Sequence, residues 1–178
     1  MRLRKRNEHH VMSGASLYDE DILLWSEQQA ALIRRLGAPR RKLPNQLDVE
    51  NVAEEIESVG RSELASVESY IELILLHLIK LSAGGDTELA RHWRGEIVAF
   101  HGNMRRRYTP SMRQRIDLDE VWRLVRRQVV AASDQPGRAE AELPATCPFS
   151  LDELLERDID FESLQQRLRV AGQGDHTD

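Results

Sequence analysis

A run of charged side chains at helical spacing, Glu54, Glu57, Arg61 and Glu63, holds the residues best placed to do chemistry. Glu54 and Glu57 lie three residues apart and Glu57 and Arg61 four, so on a helix each pair can touch. Paired carboxylates act as general acids and bases, or as metal ligands when a second helix completes the set. A bundle-type di-metal centre also needs Glu-x-x-His, which occurs nowhere in this chain. The simpler reading of the run is a solvated helix face. His77 falls in the apolar stretch Ile71 to Leu81 and reads as a partly buried histidine with its hydrogen bonds satisfied. His92 and Glu96 are four apart and could face one ion, although the zincin pattern H-E-x-x-H is absent. An ion could be assembled from His77, His92 and one of Glu54 or Glu57, but no spacing rule requires it. The chain is therefore read as having no metal and no cofactor. Trp93 and Arg94, beside His92, complete a candidate polar cluster of Glu54, Glu57, Arg61, Glu63, His77, His92, Trp93 and Arg94.

A second candidate is basic. Arg105, Arg106, Arg107, Arg113 and Arg115 could bind the phosphates of a nucleic acid. No helix-turn-helix, zinc finger or stacking platform accompanies them, and they could equally pair with the acidic segment Asp152 to Glu162. Cys147 precedes Pro148 and has no His or Asp partner indicated nearby, so it reads as structural rather than nucleophilic. There is no phosphate-binding Gly-rich loop, nucleophile elbow or dinucleotide fingerprint.

The elements that must position these residues are helical throughout. Ser16 followed by Asp19 is a near capping box, and Leu17, Leu24, Trp25, Gln28, Leu32 and Leu36 form a stripe ending at Gly37 and Pro39. Asp48 is the expected N-cap of the next helix, with Val49, Val52, Ile56 and Val59 inward. The pattern resumes as Leu64, Val67, Ile71, Ile74, Leu75, Leu78 and Leu81, with a break or a close helix contact expected at Gly60 and an end at Gly84 and Gly85. A third long helix starts near Asp86 or Thr87 and buries Leu89, Trp93, Ile97, Phe100 and Met104. A short piece from Met112 to Ile116 follows, then a helix from about Asp119 to Ala132 with Val121, Trp122, Val125 and Val129 inward. Residues 133 to 149 read as a loop with three prolines, and Ser150 with Glu153 as the capping box of a short last helix. With no strand alternation, the expectation is an all-α bundle of about four main helices with short accessory ones. Residues 1–15 read as a flexible basic leader, 16–160 as one domain and 161–178 as a polar tail.

Composition narrows the class further. The chain has 178 residues and a formal charge of −5, with 40% apolar residues, enough to build a core without a disulfide. Its single cysteine excludes an intramolecular disulfide and suits a reducing compartment, so the cytoplasm is the default location. The longest apolar run is broken by Glu72, His77 and Lys80, which argues against a membrane span, and the N-terminus lacks the apolar stretch of a secretory signal. Charge is polar along the chain: residues 91–127 carry ten Arg against four carboxylates, and residues 128–178 carry four Arg against eleven.

Several segments together resemble a known family. They are Leu17-Tyr18-Asp19-Glu20-Asp21 with Trp25, Leu47-Asp48-Val49-Glu50-Asn51, and Glu54-Glu55-Ile56-Glu57-Ser58-Val59-Gly60-Arg61-Ser62-Glu63. His77-Leu78-Ile79-Lys80, Trp93-Arg94 and Cys147-Pro148-Phe149-Ser150-Leu151 extend the match, which covers roughly residues 17 to 158. This pattern resembles the bacterial family called domain of unknown function 29. The resemblance implies an all-helical fold and a bacterial, cytosolic protein, and it implies no established activity. Two departures from the family pattern are the polar tail to Asp178 and the basic leader before Met12, which offers an alternative start.

Three functional readings follow. The first is a helical module that binds another protein or a second copy of itself without catalysis, its polar cluster holding helices in register. The second is a nucleic-acid-associated regulator using the arginines from Arg94 to Arg115, a partner class that is not favoured. The third is a metal-assisted hydrolase using Glu54, Glu57, His77 and His92.

Overall fold

Asp21, Asp48, Asp117 and Ser150 each cap a helix start, one of them displaced from the sequence expectation. The computed structural model describes residues 14–37, 43–84 and 87–174. The first helix, α1, spans Gly14–Glu20 and gives way at Asp21 to α2, Ile22–Leu36. Asp21 rather than Ser16 is the working cap: its carboxylate accepts from the Leu24 N–H at 3.1 Å, while its own N–H donates to the Leu17 carbonyl at 2.8 Å. The interruption thus leaves the backbone hydrogen-bonded on both sides.

The third helix, α3, runs unbroken over Val49–Ser82. Asp48 caps it as expected, accepting from the Asn51 N–H at 3.1 Å. The helix ends with the Ala83 N–H on the Ile79 carbonyl at 3.0 Å and with Gly84 at φ +76, the left-handed conformation that glycine adopts without strain. Next come α4, Thr87–Arg107, a 3-10 turn at Pro110–Gln114, and α5, Leu118–Ala132. The last three are α6, Pro136–Glu142, α7, Leu151–Leu155, and α8, Phe161–Gly174. Every regular element among the described residues is helical, so the all-α expectation holds.

Two elements differ from the sequence reading. The presumed proline loop contains α6, because Pro136 sits at a first-turn position where its missing N–H costs no hydrogen bond. The presumed polar tail contains α8, whose Leu164 and Leu168 are buried one helical turn apart. The contacts of the chain also group it into two compact units that divide between Arg61 and Ser62, inside α3. Of the leader, only the backbone of Gly14 and Ala15 lies within the described residues.

The unit up to Arg61 pairs α2 with the first part of α3. Gly60 is the point of closest approach: a Cβ there would lie 2.2 Å from Ser26 Oγ and 3.0 Å from the Leu23 Cα. Of the two expectations at Gly60, the close contact is realised and the break is not. Gly37 meets Val49 at the other end, so the two helices run antiparallel. Ala30 and Ala53 are fully buried between these contacts. This seam of small residues overturns part of the predicted stripes, of which Leu17 is buried as expected. Leu32, Leu36, Val52 and Val59 are 49%, 40%, 39% and 44% exposed, while Leu23, Ser26, Ala30 and Ala53 turn inward.

The unit from Ser62 holds the large apolar core. Val67, Ile71, Ile74, Leu75, Leu78 and Leu81 of α3 are buried, as periodicity predicts, together with Ile97 and Met104 of α4 and Val121, Trp122 and Val125 of α5. Leu89, predicted inward, is exposed. Trp122 is completely buried and its indole N–H donates to the Pro144 carbonyl at 2.9 Å, which satisfies its one polar atom.

Candidate functional site

The predicted polar cluster resolves into separate groups with different partners. In the first unit, Arg34 of α2 reaches across the seam to α3. Its Nε lies 2.8 Å from Glu50 Oε1 and its Nη2 lies 2.8 Å from Glu57 Oε2 and 3.5 Å from Glu54 Oε2. Arg61 adds Nη2 to Glu54 Oε1 at 2.5 Å and Nη1 to Glu57 Oε2 at 3.7 Å. Arg34 is the residue sequence reasoning missed. Its partners are 16 and 23 residues away, a separation that only an antiparallel helix pair closes. The hydrogen bond from Arg34 holds the Glu57 carboxyl below the usual carboxylate range against the opposing effect of its desolvation. The same bond, with that from Glu50, raises the guanidinium further above its ordinary value. Each of these two groups is thereby favoured in its charged form, and the cluster joins two helices.

Glu63, two residues past Arg61, belongs to the second unit. It takes both carboxylate oxygens to Arg107 Nη1, at 2.9 and 2.7 Å. His77 is buried with Nδ1 2.7 Å from the Leu73 carbonyl and Nε2 2.9 Å from Glu96 Oε2. Both ring nitrogens therefore face acceptors, and the ring donates to both only with a proton on each. His92 approaches the same Glu96 oxygen at 3.5 Å, and Phe100 packs edge-on against His77 with centroids 5.4 Å apart. Arg94 lies over the Phe161 ring, 5.5 Å from its centroid, and so fastens α4 to α8. Trp93 beside it is half-buried.

The structure thus brings His77 and His92 together through Glu96, and Arg34 and Arg61 together through Glu54 and Glu57, but it keeps these two sets on different partners. Among the described residues no group of three or more His, Cys, Asp or Glu is placed to hold a metal ion, which removes the ligand set assembled from His77, His92 and Glu54 or Glu57.

Most of the basic candidates are engaged within the fold. Arg105 donates to the Arg157 carbonyl at 3.1 Å, near the end of α7. Arg106 bonds Asn103, Arg107 bonds Glu63, and Arg113 bonds Asp152 at 2.5 Å. Arg115 has a partner of its own as well. Arg113 holds the Asp152 carboxyl below its ordinary range. The pairing with the acidic C-terminal segment therefore occurs at Asp152 and at the Arg157 backbone. His101 lies on α4 with His92 and Glu96. It is buried, and desolvation with the nearby Arg105 charge pushes its pKa down, against hydrogen bonds to the Glu156 and Leu154 backbone.

Cys147 is half-buried, and burial pushes its thiol up to about 11, helped by the charges of Asp119 and Glu153. A thiol of that kind is a poor nucleophile at neutral pH. Among the described residues no helix is long and apolar enough to cross a membrane.

Comparison with known proteins agrees with this architecture. No curated protein matches the chain. A crystal structure of an α-helical protein of unknown function from Rhodospirillum rubrum ATCC 11170 is similar, with a TM-score of 0.72 and 35% identity, covering 85% of this chain and 96% of that one. The family model described as domain of unknown function DUF29 matches residues 17–160. That span includes both ion clusters, the His77 and Glu96 pair and the capped α7, and the chain belongs to this family.

Proposed function

We propose that the protein is a cytosolic self-associating module that acts by binding and not by catalysis, and that it binds a second copy of itself through the first unit. The observation that carries this reading is an apolar face opposite the Arg34 cluster. On α2, Ser26 and Ala30 mark the seam; at 100° per residue Arg34 lies to one side of it and Leu32 and Leu36 to the other. On α3, Ala53 and Gly60 mark the seam, with Glu50, Glu54 and Glu57 to one side and Val52 and Val59 to the other. One side of the hairpin is therefore ionic and the other apolar. Tyr18, 52% exposed and edge-on to Trp25, extends the apolar side. A contiguous face of this kind on a soluble helix pair marks an interaction site.

The charges at its two borders favour a second copy as the occupant. Arg35 lies beyond Leu32 on the α2 edge and Glu55 beyond Val52 on the α3 edge, and neither forms an ion pair among the described residues. A copy turned through half a revolution about an axis along the hairpin sets each Arg35 edge against a Glu55 edge and builds a four-helix contact. The lone, poorly reactive cysteine suits the cytosol.

Light scattering over a concentration series tests the proposal. The expected result is a dimer mass for the natural chain and a monomer mass for the double variant Leu32→Glu, Val59→Glu, with helix content unchanged by circular dichroism. Arg35→Glu should weaken the dimer and Arg35→Glu with Glu55→Arg should restore it. A monomer at every concentration, or a dimer that survives the double variant, overturns the reading.

A further inference from the structure

Two cavities of the second unit meet in one groove, and most of its polar lining is already engaged. One, of about 500 Å³, lies between the last turns of α3 and α5 over Leu76, Ile79, Ala83, Val129 and Ala132. The other, of about 410 Å³, shares Ile79, Ala83, Val129 and Ser133 with it and continues over Leu143 and Leu168 toward α6 and α8. Ile79 and Leu168 are buried there. Four polar side chains of the lining have partners within the fold. Ser82 Oγ donates to the Ile79 carbonyl at 2.8 Å, Ser133 Oγ accepts from the Gln135 N–H at 3.1 Å, Gln128 bonds Glu72, and Glu142 pairs with Arg138. Lys80, in the first cavity, and Arg169, in the second, form no ion pair or hydrogen bond among the described residues.

We propose that this groove binds a straight-chain aliphatic carboxylate of the fatty-acid type, its head at Lys80 and its chain along the shared floor. Each cavity lies inside the ~300 to 1,000 Å³ range of small-molecule sites. The two diverge from that floor, one toward Lys80 and the other toward Leu168, which suits an extended chain better than a compact ring system. No aromatic side chain lines either cavity, so nothing there stacks on a planar ring, whereas Leu76, Ile79, Val129, Leu143 and Leu168 supply aliphatic surface. Every methylene covered by that surface leaves water at a gain in proportion to its area. Lys80 is exposed and is the single charged residue lining the first cavity. A lysine at such an edge can lay its methylenes on apolar surface and keep its ammonium in water, where a carboxylate can meet it. Two unanswered cations, and a lone carboxylate already paired, select an anionic head, although the overall charge of −5 would attract a cationic one. The groove belongs wholly to the second unit, so it stands or falls separately from self-association.

The experiment is calorimetric titration of the full chain with decanoate, decylammonium and hexanoate, each below its micelle concentration. The expected result is a Kd of about 0.1 mM or tighter for decanoate. Decylammonium, with the same chain and the opposite head, should bind about tenfold or more weakly. Hexanoate, with the same head and a shorter chain, should also lose about tenfold or more. Lys80→Gln should weaken decanoate about fivefold, the effect of one exposed charge, and narrow its lead over decylammonium. Ala83→Trp fills the shared floor from an exposed position and should abolish decanoate binding, with helix content by circular dichroism unchanged. No heat with decanoate overturns the proposal. So does a decanoate affinity that either variant leaves unchanged, or decylammonium or hexanoate binding as tightly as decanoate.

Discussion

The two units use opposite halves of the apolar inventory. Up to Arg61 the contact between α2 and α3 is made by Ser26, Ala30, Ala53 and Gly60, and larger side chains such as Leu32 and Val59 face outward. From Ser62 onward the core is made of larger side chains, led by Trp122, Ile71 and Met104, although Leu89, Val98 and Val170 stay exposed. Small residues let two backbones approach closely, but they remove little apolar area from water, and burial stabilises by roughly 25 cal/mol per Å². The first unit offsets this with ions, the Arg34 cluster lying along one flank of its seam. One long helix thus serves two designs, a close-packed hairpin of small residues flanked by ions and a core of large apolar side chains.

The largest expected effect breaks the second design. Trp122→Ala removes a completely buried indole and leaves the Pro144 carbonyl without its donor, so the loss should be about 3 to 5 kcal/mol in a chemical denaturation experiment. If self-association belongs to the first unit, the folded fraction of this variant should still dimerise.

Gly60→Ala strikes the first design and should cost about 1 to 3 kcal/mol, because the added Cβ meets Ser26 Oγ at 2.2 Å. Hydrogen exchange should quicken over Ile22–Leu36 while Leu118–Ala132 stays protected. Ser26→Ala in the same chain should recover part of the loss. Uniform loosening of both helices would show that the units do not differ as described.

Arg34→Ala has the smallest effect and sharpens the ionic side of the comparison. Its partners are partly solvated, so the melting temperature should fall modestly and less at high salt. Because Glu57 titrates below the usual carboxylate range in the fold, its contribution is present above the unfolded value of about 4.3 and is lost as pH falls through the lower folded value. The natural chain should therefore exceed the variant in melting temperature at pH 7, and the gap should close as pH drops below about 4. A gap that stays constant down to pH 3 would remove Glu57 as the source.

The caps were legible in the sequence because they act locally. Asp48 and the Ser150 and Glu153 box each satisfy backbone donors within three residues of themselves, so spacing alone reveals them. The core stripe from Val67 to Leu81 was legible as well, since a helix that is apolar nearly all round has few ways to turn. The stripes around Leu32 and Val52 misled because two faces of each helix were available, one of large residues and one of small. A rule that sends the larger side chains inward chose wrongly. The candidate site was legible only as residue types. Glu54, Glu57 and Arg61 are neighbours along one helix, but Arg34, the other cation on Glu54 and Glu57, sits 16 residues from Glu50 and 23 from Glu57. His77 and Glu96 likewise meet only because α3 and α4 lie side by side.

By itself, then, the sequence determined the helical class and most helix boundaries, because capping, glycine stops and the 3.6-residue period are written over a few adjacent residues, and it carried the family in the resemblance of its segments. Only the tertiary structure decided which face of α2 and of early α3 turns inward, that the presumed tail forms α8, and which arginine meets which carboxylate. Those outcomes depend on how closely two backbones can approach, as at Gly60 and Ser26, and that distance belongs to a pair of helices and to neither one alone.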